Sequence, residues 1–320
     1  MRGDKEIDCL NFIIQSIFYN KNGEVRRDFN GKSYLDVDDE TFKKWCFCYV
    51  SVFHEVMFGL TKEDETEVLC ILRKVKANEK LSEFPDFIFN NGFIEHFQIT
   101  SSKVTRKGAR QIIKEKEFNR EVNLKQEKFI KMCNATPSYD KVRSSISTMN
   151  YPEHCYNYLL QSFKHSCEHH LESMRKYNGA RDIGIFLIEN SESALTMLEN
   201  IFVDWKEGMS HGDLREQQSF SCYRLSRDKK LLNYLYKLRN ELKYVIYVYT
   251  DIVRKGGTGL VTFDCDAVRK FEIIKIENIP YLLKLLPWDF YIGSNQGTVI
   301  SSMYNISVKS NQGMGGNNNE

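Results

Sequence analysis

The stretch FPDFIFNNGFIEHFQITSSK, residues 84–103, has the pattern of two short aromatic-rich strands joined at Asn-Gly. It also carries two acids, a histidine and an amide, namely Asp86, Glu95, His96 and Gln98. Burying a carboxylate without a partner costs free energy, so Asp86 and Glu95 require a metal ion, a cation or hydrogen-bond donors. This segment is therefore the first place in the chain where chemistry is expected.

The composition indicates a folded protein with a sizeable core. The chain has 320 residues, of which 42% are hydrophobic and 13% aromatic, so disorder is not expected for most of it. It contains no run of 18 apolar residues, and its first residues, MRGDKEIDCL, are charged. Nine cysteines at irregular spacing are typical of reduced thiols. These features predict a cytoplasmic protein without a membrane span.

The pattern along the chain predicts an α/β fold with a mixed sheet flanked by helices. Helical spacing occurs over residues 7–19, 39–60, 61–78, 107–131, 153–177 and 227–242. Apolar β-branched and aromatic runs predict further strands over 183–188, 244–249, 260–265 and 271–276. The polar stretch 210–220 has the composition of a loop. We expect one domain over 1–306, in which 134–178 could be a helical insertion, and a disordered tail over 307–320.

A basic segment follows the hairpin directly. Residues 103–131 carry ten Lys or Arg against four Glu, in a chain whose net charge is only +2. Such a local excess would attract a polyanion such as DNA, and the foremost candidates for phosphate contacts are Lys103, Arg106, Lys107, Arg110 and Lys114. The alternative is a solvated helix face on which the charges form ion pairs.

The turn of the hairpin leaves two registers open. A two-residue turn at 91–92 places Asp86 and Glu95 on one face as diagonal neighbours, close enough for a divalent ion to bridge them. A three-residue turn at 90–92 places Asp86 opposite His96 and leaves Glu95 among apolar side chains. A β-bulge could combine features of both arrangements.

The same residues resemble the core of the PD-(D/E)xK nuclease superfamily. The similarity covers residues 84–131 and consists of Pro85-Asp86, Glu95 nine residues later, a hairpin and a basic helix. It implies a restriction-endonuclease-like αβββαβ core with helical additions. It also implies that Asp86 and Glu95 bind Mg²⁺, with Mn²⁺ as a substitute, in a nuclease that hydrolyses phosphodiester bonds, with DNA the expected substrate.

The chain departs from the family pattern at its third element. Phe97 stands where the family has a lysine that activates or positions the attacking water. Gln98 could take this role through a bulge, or Lys103 or Lys107 could reach the site. If none does, the chain is a catalytically inactive nucleic-acid-binding or assembly module of the same fold. A further alternative is an ordinary buried hairpin, in which Asp86 caps a turn and Glu95 pairs with a basic residue.

A second group of candidate ligands lies in the helix predicted over 153–177. His165 and His169 are four residues apart and could share a metal ion on one helical face. The apolar stripe of this helix, however, includes His170 and leaves His165 and His169 on the solvent side. An ordinary polar helix face is the favoured interpretation.

Overall fold

The computed structural model describes most of the chain outside the segment that follows the hairpin and the C-terminus. The described residues are 3–27, 30–49, 57, 60–79, 83–102, 113, 116–117, 120–121, 124, 127–128, 131, 154–202, 216–255, 264–285 and 290–294. Residues 134–153, the first part of the possible insertion, and the predicted tail 307–320 lie outside them.

The chain divides into two compact units. The first comprises residues 1–104, 154–252 and 267–294, and the second comprises 105–153, 253–266 and 295–320. In the second unit, the described residues between 113 and 131 are helical, as predicted, and they are exposed.

Among the residues that the structure describes, nine strands form two sheets. Their bounds are β1 Lys76–Ala77, β2 Phe87–Phe89, β3 Gly92–Gln98, β4 Ile183–Asn190, β5 Leu195–Phe202, β6 Glu216–Cys222, β7 Tyr244–Lys255, β8 Asp264–Lys275 and β9 Phe290–Ser294. The larger sheet has the order β1-β2-β3-β4-β7-β8. In it β1, β2 and β3 are antiparallel, whereas β3, β4 and β7 are parallel. The prediction of an α/β fold with a mixed sheet is confirmed.

Besides the helical residues between 113 and 131, six α-helices with described bounds accompany these strands. Their bounds are α1 Asp4–Phe18, α2 Asp39–Tyr49, α3 Lys62–Lys74, α4 Tyr156–Lys176, α5 Lys229–Tyr236 and α6 Ile279–Leu285. Helix α3 begins with a capping box, in which Thr61 and Asp64 each bind the backbone N–H of the other. No helix among the described residues has both the length and the apolar character that crossing a membrane requires.

The larger sheet is covered on both faces because its side chains alternate between two cores. On one face, Ile94 and Leu187 lie in the same core as buried residues of α1, α2 and α3. On the other face, Phe97 and Phe186 lie in the same core as buried residues of α4, α5 and α6. Helix α4, which lies within the possible insertion over 134–178, therefore contributes to the core on the second face of the larger sheet.

The smaller sheet was not predicted. In it β5 lies between β6 and β9 and pairs with both in the antiparallel sense. The predicted loop over 210–220 is wrong from residue 216 onward, because this part belongs to β6, while 210–215 lie outside the described residues. The sequence of β6 is too polar to predict a strand, because its extended conformation depends on the pairing with β5.

Candidate functional site

The hairpin adopts neither of the two registers considered from the sequence. Phe87 pairs with Ile94 and Phe89 pairs with Gly92, so the turn is formed by the two residues 90–91. Continued by one residue, this register places Asp86 directly opposite Glu95.

The displaced turn has a steric cause on the other side of β3. Gly92 is drawn into the sheet, where it pairs with Ile183 at the start of the parallel strand β4. A Cβ atom at position 92 would lie 2.0 Å from the carbonyl oxygen of Ile183. Only glycine allows this approach, so Gly92 serves as a strand residue and not as a turn residue.

Three hydrogen bonds fix the acids at the hairpin. The backbone N–H of Asp86 donates to Oε2 of Glu95 at 3.0 Å, and the backbone N–H of His96 donates to Oδ2 of Asp86 at 2.8 Å. From α4, Nδ1 of His170 lies 2.6 Å from Oε1 of Glu95. These bonds hold both carboxylates in place. Glu95 is buried and Asp86 is half-buried, so solvent reaches Asp86 more readily than Glu95.

The electrostatics of the pair favour a cation. Burial, and then the charge of Glu95, raise the pKa of Asp86 to about 6, although the N–H of His96 opposes the shift. The two carboxylates offer hard oxygen atoms, the ligand type that divalent ions such as Mg²⁺ prefer.

The position of the family's lysine is filled by an aromatic side chain. Phe97 is 5% exposed, and its ring stacks on His170 with 4.7 Å between the ring centroids. The rings of Phe97 and Phe186 also meet in an edge-to-face contact, with 5.2 Å between their centroids. The space next to Glu95 is thus occupied by a packed aromatic group.

The structure brings Asp86 and Glu95 together but separates Gln98 from them. Because side chains alternate along β3, Gln98 lies on the face opposite to Glu95. There its amide nitrogen donates to Oε2 of Glu189 at 2.7 Å. No bulge interrupts the pairing of β3 with β4 from residue 92 to 98, so Gln98 is not carried to the side of Glu95.

Glu189 is the centre of a polar cluster that sequence reasoning missed. Its Oε2 lies 3.3 Å from Nε2 of His96, and its Oε1 accepts from Arg269, which also binds Asp8 at 2.8 Å. Burial would raise the pKa of Glu189, but the hydrogen bonds from His96 and Gln98 and the charge of Arg269 lower it to about 2. The signal in the sequence that could have indicated this cluster is an acid within an otherwise apolar strand, a feature that Glu189 in β4 shares with Glu95 in β3.

A buried serine and histidine lie beyond the ends of β3 and β4. The hydroxyl of Ser101 donates to Oε2 of Glu192 at 2.6 Å and lies 2.8 Å from Nδ1 of His154. In a catalytic triad the acid binds the histidine nitrogen that faces away from the serine. Glu192 instead approaches the same Nδ1 at 3.5 Å, and Ser101 is fully buried. This cluster therefore joins the strand ends and does not form a nucleophile.

The remaining candidates are less informative. The five basic residues expected to bind phosphates, Lys103, Arg106, Lys107, Arg110 and Lys114, lie outside the described residues. His165 and His169 are exposed on α4, as the favoured interpretation predicted.

The geometry of the hairpin is the basis for assigning a function to this chain. Comparisons with protein-family models, with curated proteins and with solved structures gave no match.

Proposed function

We propose that the chain is a divalent-metal-dependent nuclease, or a nuclease-like protein, whose Mg²⁺ ligands are Asp86 and Glu95. The observation that carries the proposal is the direct opposition of these two carboxylates across a hairpin. The parallel strand β4, which pairs with β3 along its whole length, is consistent with the arrangement implied by the resemblance to PD-(D/E)xK nucleases. DNA is the expected substrate.

The residues of the chain contribute to such a reaction mainly by holding the acids. The N–H of His96 orients Asp86, and His170 together with the N–H of Asp86 orients Glu95. A bound Mg²⁺ would supply charge neutralisation at the scissile phosphate and an activated water. Preorganised ligands lower the cost of assembling this site for each turnover.

A second candidate is a module of the same fold that binds nucleic acid without cutting it. The observation that favours it is Phe97, which is buried against His170 in the position of the family's lysine. In this case the acids at the hairpin would have a structural role, and contact with DNA would not require a divalent ion.

Cleavage and binding assays separate the two candidates. The full-length chain is incubated with supercoiled DNA, linear DNA and RNA, with Mg²⁺, with Mn²⁺ or without divalent ions. Nuclease function predicts metal-dependent cutting that disappears in Asp86→Asn. A matched control is Asp182→Asn, which changes an exposed aspartate just before β4 and should leave cutting intact.

Either alternative has a distinct result. Cutting that persists when Asp86 and Glu95 are both replaced refutes the proposed site. If the wild-type protein cuts nothing but binds DNA with a strong dependence on salt and none on Mg²⁺, the inactive module is the better description.

A further inference from the structure

A second set of ligand-type side chains meets on the face of β3 opposite to Glu95. Cys9 of α1, His96 of β3 and Glu189 of β4 each offer one ligand atom, and these atoms lie within 4.8 Å of one another. All three residues are buried. They come from three separate elements, so only the tertiary fold brings them together.

The spacing agrees with the geometry of a tetrahedral metal site. Nε2 of His96 lies 3.3 Å from Oε2 of Glu189. A zinc ion bound at about 2.0–2.1 Å from nitrogen and oxygen in tetrahedral geometry separates these two ligands by about 3.3 Å. The sulfur of Cys9 lies within 4.8 Å of both atoms, and a bound zinc ion would draw it closer.

The charges around the cluster also accommodate a divalent ion. Asp8, Glu189 and Arg269 together carry one net negative charge when ionised. The Cys9 thiolate adds a second, and a divalent ion brings the sum to zero. The Cys9 thiol is fully buried, and because the thiolate is the ligand it would release its proton to solvent as the metal binds.

Neighbouring residues already hold the carboxylate of Glu189 in position. Arg269 binds its Oε1, and Gln98 donates to its Oε2 at 2.7 Å. Hydrogen bonds of this kind orient ligands in metal sites. The low pKa of Glu189 keeps it ionised, which a ligand requires.

We propose that Cys9, His96 and Glu189 form a transition-metal site, with zinc as the expected ion, that fastens α1 to the sheet. A thiolate and an imidazole select zinc over Mg²⁺, which prefers oxygen ligands alone. Three protein ligands leave one coordination position for water. The backbone N–H of His96 binds Asp86, so the site also steadies the hairpin that carries the candidate Mg²⁺ ligands.

The test measures metal content in the tag-free full-length chain. Protein expressed with added zinc and purified without chelators is analysed by mass spectrometry for metals. We expect about one zinc ion per chain in the wild type and at least a tenfold loss in Cys9→Ser. The matched control is Cys46→Ser, since the Cys46 thiol is also fully buried.

A spectroscopic measurement gives an independent result if Cys9→Ser does not fold. Protein expressed with cobalt should show the intense d–d absorption of a tetrahedral site together with a thiolate-to-cobalt charge-transfer band. Asp86→Asn should leave zinc and the cobalt spectrum unchanged, so the outcome does not depend on the nuclease proposal. Wild-type protein with zinc well below one ion per chain and no thiolate band refutes the inference, as does equal zinc in Cys9→Ser and wild type.

Discussion

Replacing Asp86 by Asn should stabilise the protein when divalent ions are absent. The pKa of Asp86 rises from 3.8 to about 6 on folding, chiefly through burial and then through the charge of Glu95. An acid whose pKa is higher in the folded state destabilises the fold when it is ionised. The protonated Asp86 contributes fully to the free energy of unfolding below about pH 4, and this contribution is lost as the pH rises through about 6.

The size of the effect follows from the shift. A rise of about two units in the pKa of Asp86 corresponds to a loss of about 3 kcal/mol in the free energy of unfolding at neutral pH. Screening of the half-buried carboxylate by solvent reduces this loss to about 2 kcal/mol. Asn at position 86 keeps an acceptor for the N–H of His96, so the hydrogen bond survives the change. Asp86→Asn should therefore raise the free energy of unfolding by about 2 kcal/mol at about pH 7.5 and by little at about pH 4.

Urea unfolding at both pH values, with and without Mg²⁺, measures this difference. Mg²⁺ should stabilise the wild type but not Asp86→Asn, because an ion that binds only the folded state stabilises it by mass action. Asp182→Asn controls for the loss of an exposed charge. If Asp86→Asn is less stable than the wild type at about pH 7.5 without Mg²⁺, the repulsion inferred from burial and Glu95 is refuted.

Three further changes test other parts of the structure. Glu189→Gln should cost about 2 kcal/mol in urea unfolding, because Arg269 loses its buried carboxylate partner and keeps Asp8, which is exposed. In the wild type this contribution should fade below about pH 4, as the pH approaches about 2, and a cost under about 0.5 kcal/mol would contradict it. Gly92→Ala should destabilise the fold by about 2 kcal/mol or more, since the Cβ of the alanine would lie 2.0 Å from the backbone oxygen of Ile183. An unchanged melting temperature would show that β3 and β4 can move apart to accept the Cβ. Phe97→Lys should lower the free energy of unfolding by about 3 kcal/mol and should not create or raise nuclease activity, because it buries a cation among aromatic side chains. Faster DNA cutting by this variant would show that a lysine at position 97 can reach the candidate site.

Elements with strong local signals were predictable from the sequence. The capping box at Thr61 and Asp64 marks the start of α3, and the apolar runs at β4 and β7 are buried strands as expected. These signals are local, because a cap or an apolar run needs no distant partner to be recognised.

Elements at the margins of the sheets were harder to predict. The sequence predicted strands over 260–265 and 271–276, whereas β8 is continuous over Asp264–Lys275; residues 260–263 lie outside the described residues. Between the two predicted runs, Arg269 is half-buried and Lys270 is exposed, and β8 is the last described strand of the larger sheet. Charged residues of this kind are common on strands at the edge of a sheet, where they interrupt the apolar pattern.

The candidate site was predictable as a pair of acids but not as a geometry. The sequence identified Asp86 and Glu95, yet it could not give their register, because the contact that displaces the turn involves Ile183 in another strand. The cluster around Glu189 was missed for the same reason. Its members are distant in sequence, and no spacing rule connects them.

Strand β3 gives the two proposed metal sites opposite chemistry. Glu95 projects toward α4, where it lies opposite Asp86 and contacts His170, while His96 projects toward α1, where Arg269 and Gln98 already bind Glu189. The first site offers carboxylate oxygen, which suits Mg²⁺. The second has nearly balanced charge and offers thiol and imidazole, which suit zinc. Removal of Mg²⁺ should therefore abolish any nuclease activity while leaving the zinc content unchanged, because neither ion is matched to the other's ligands.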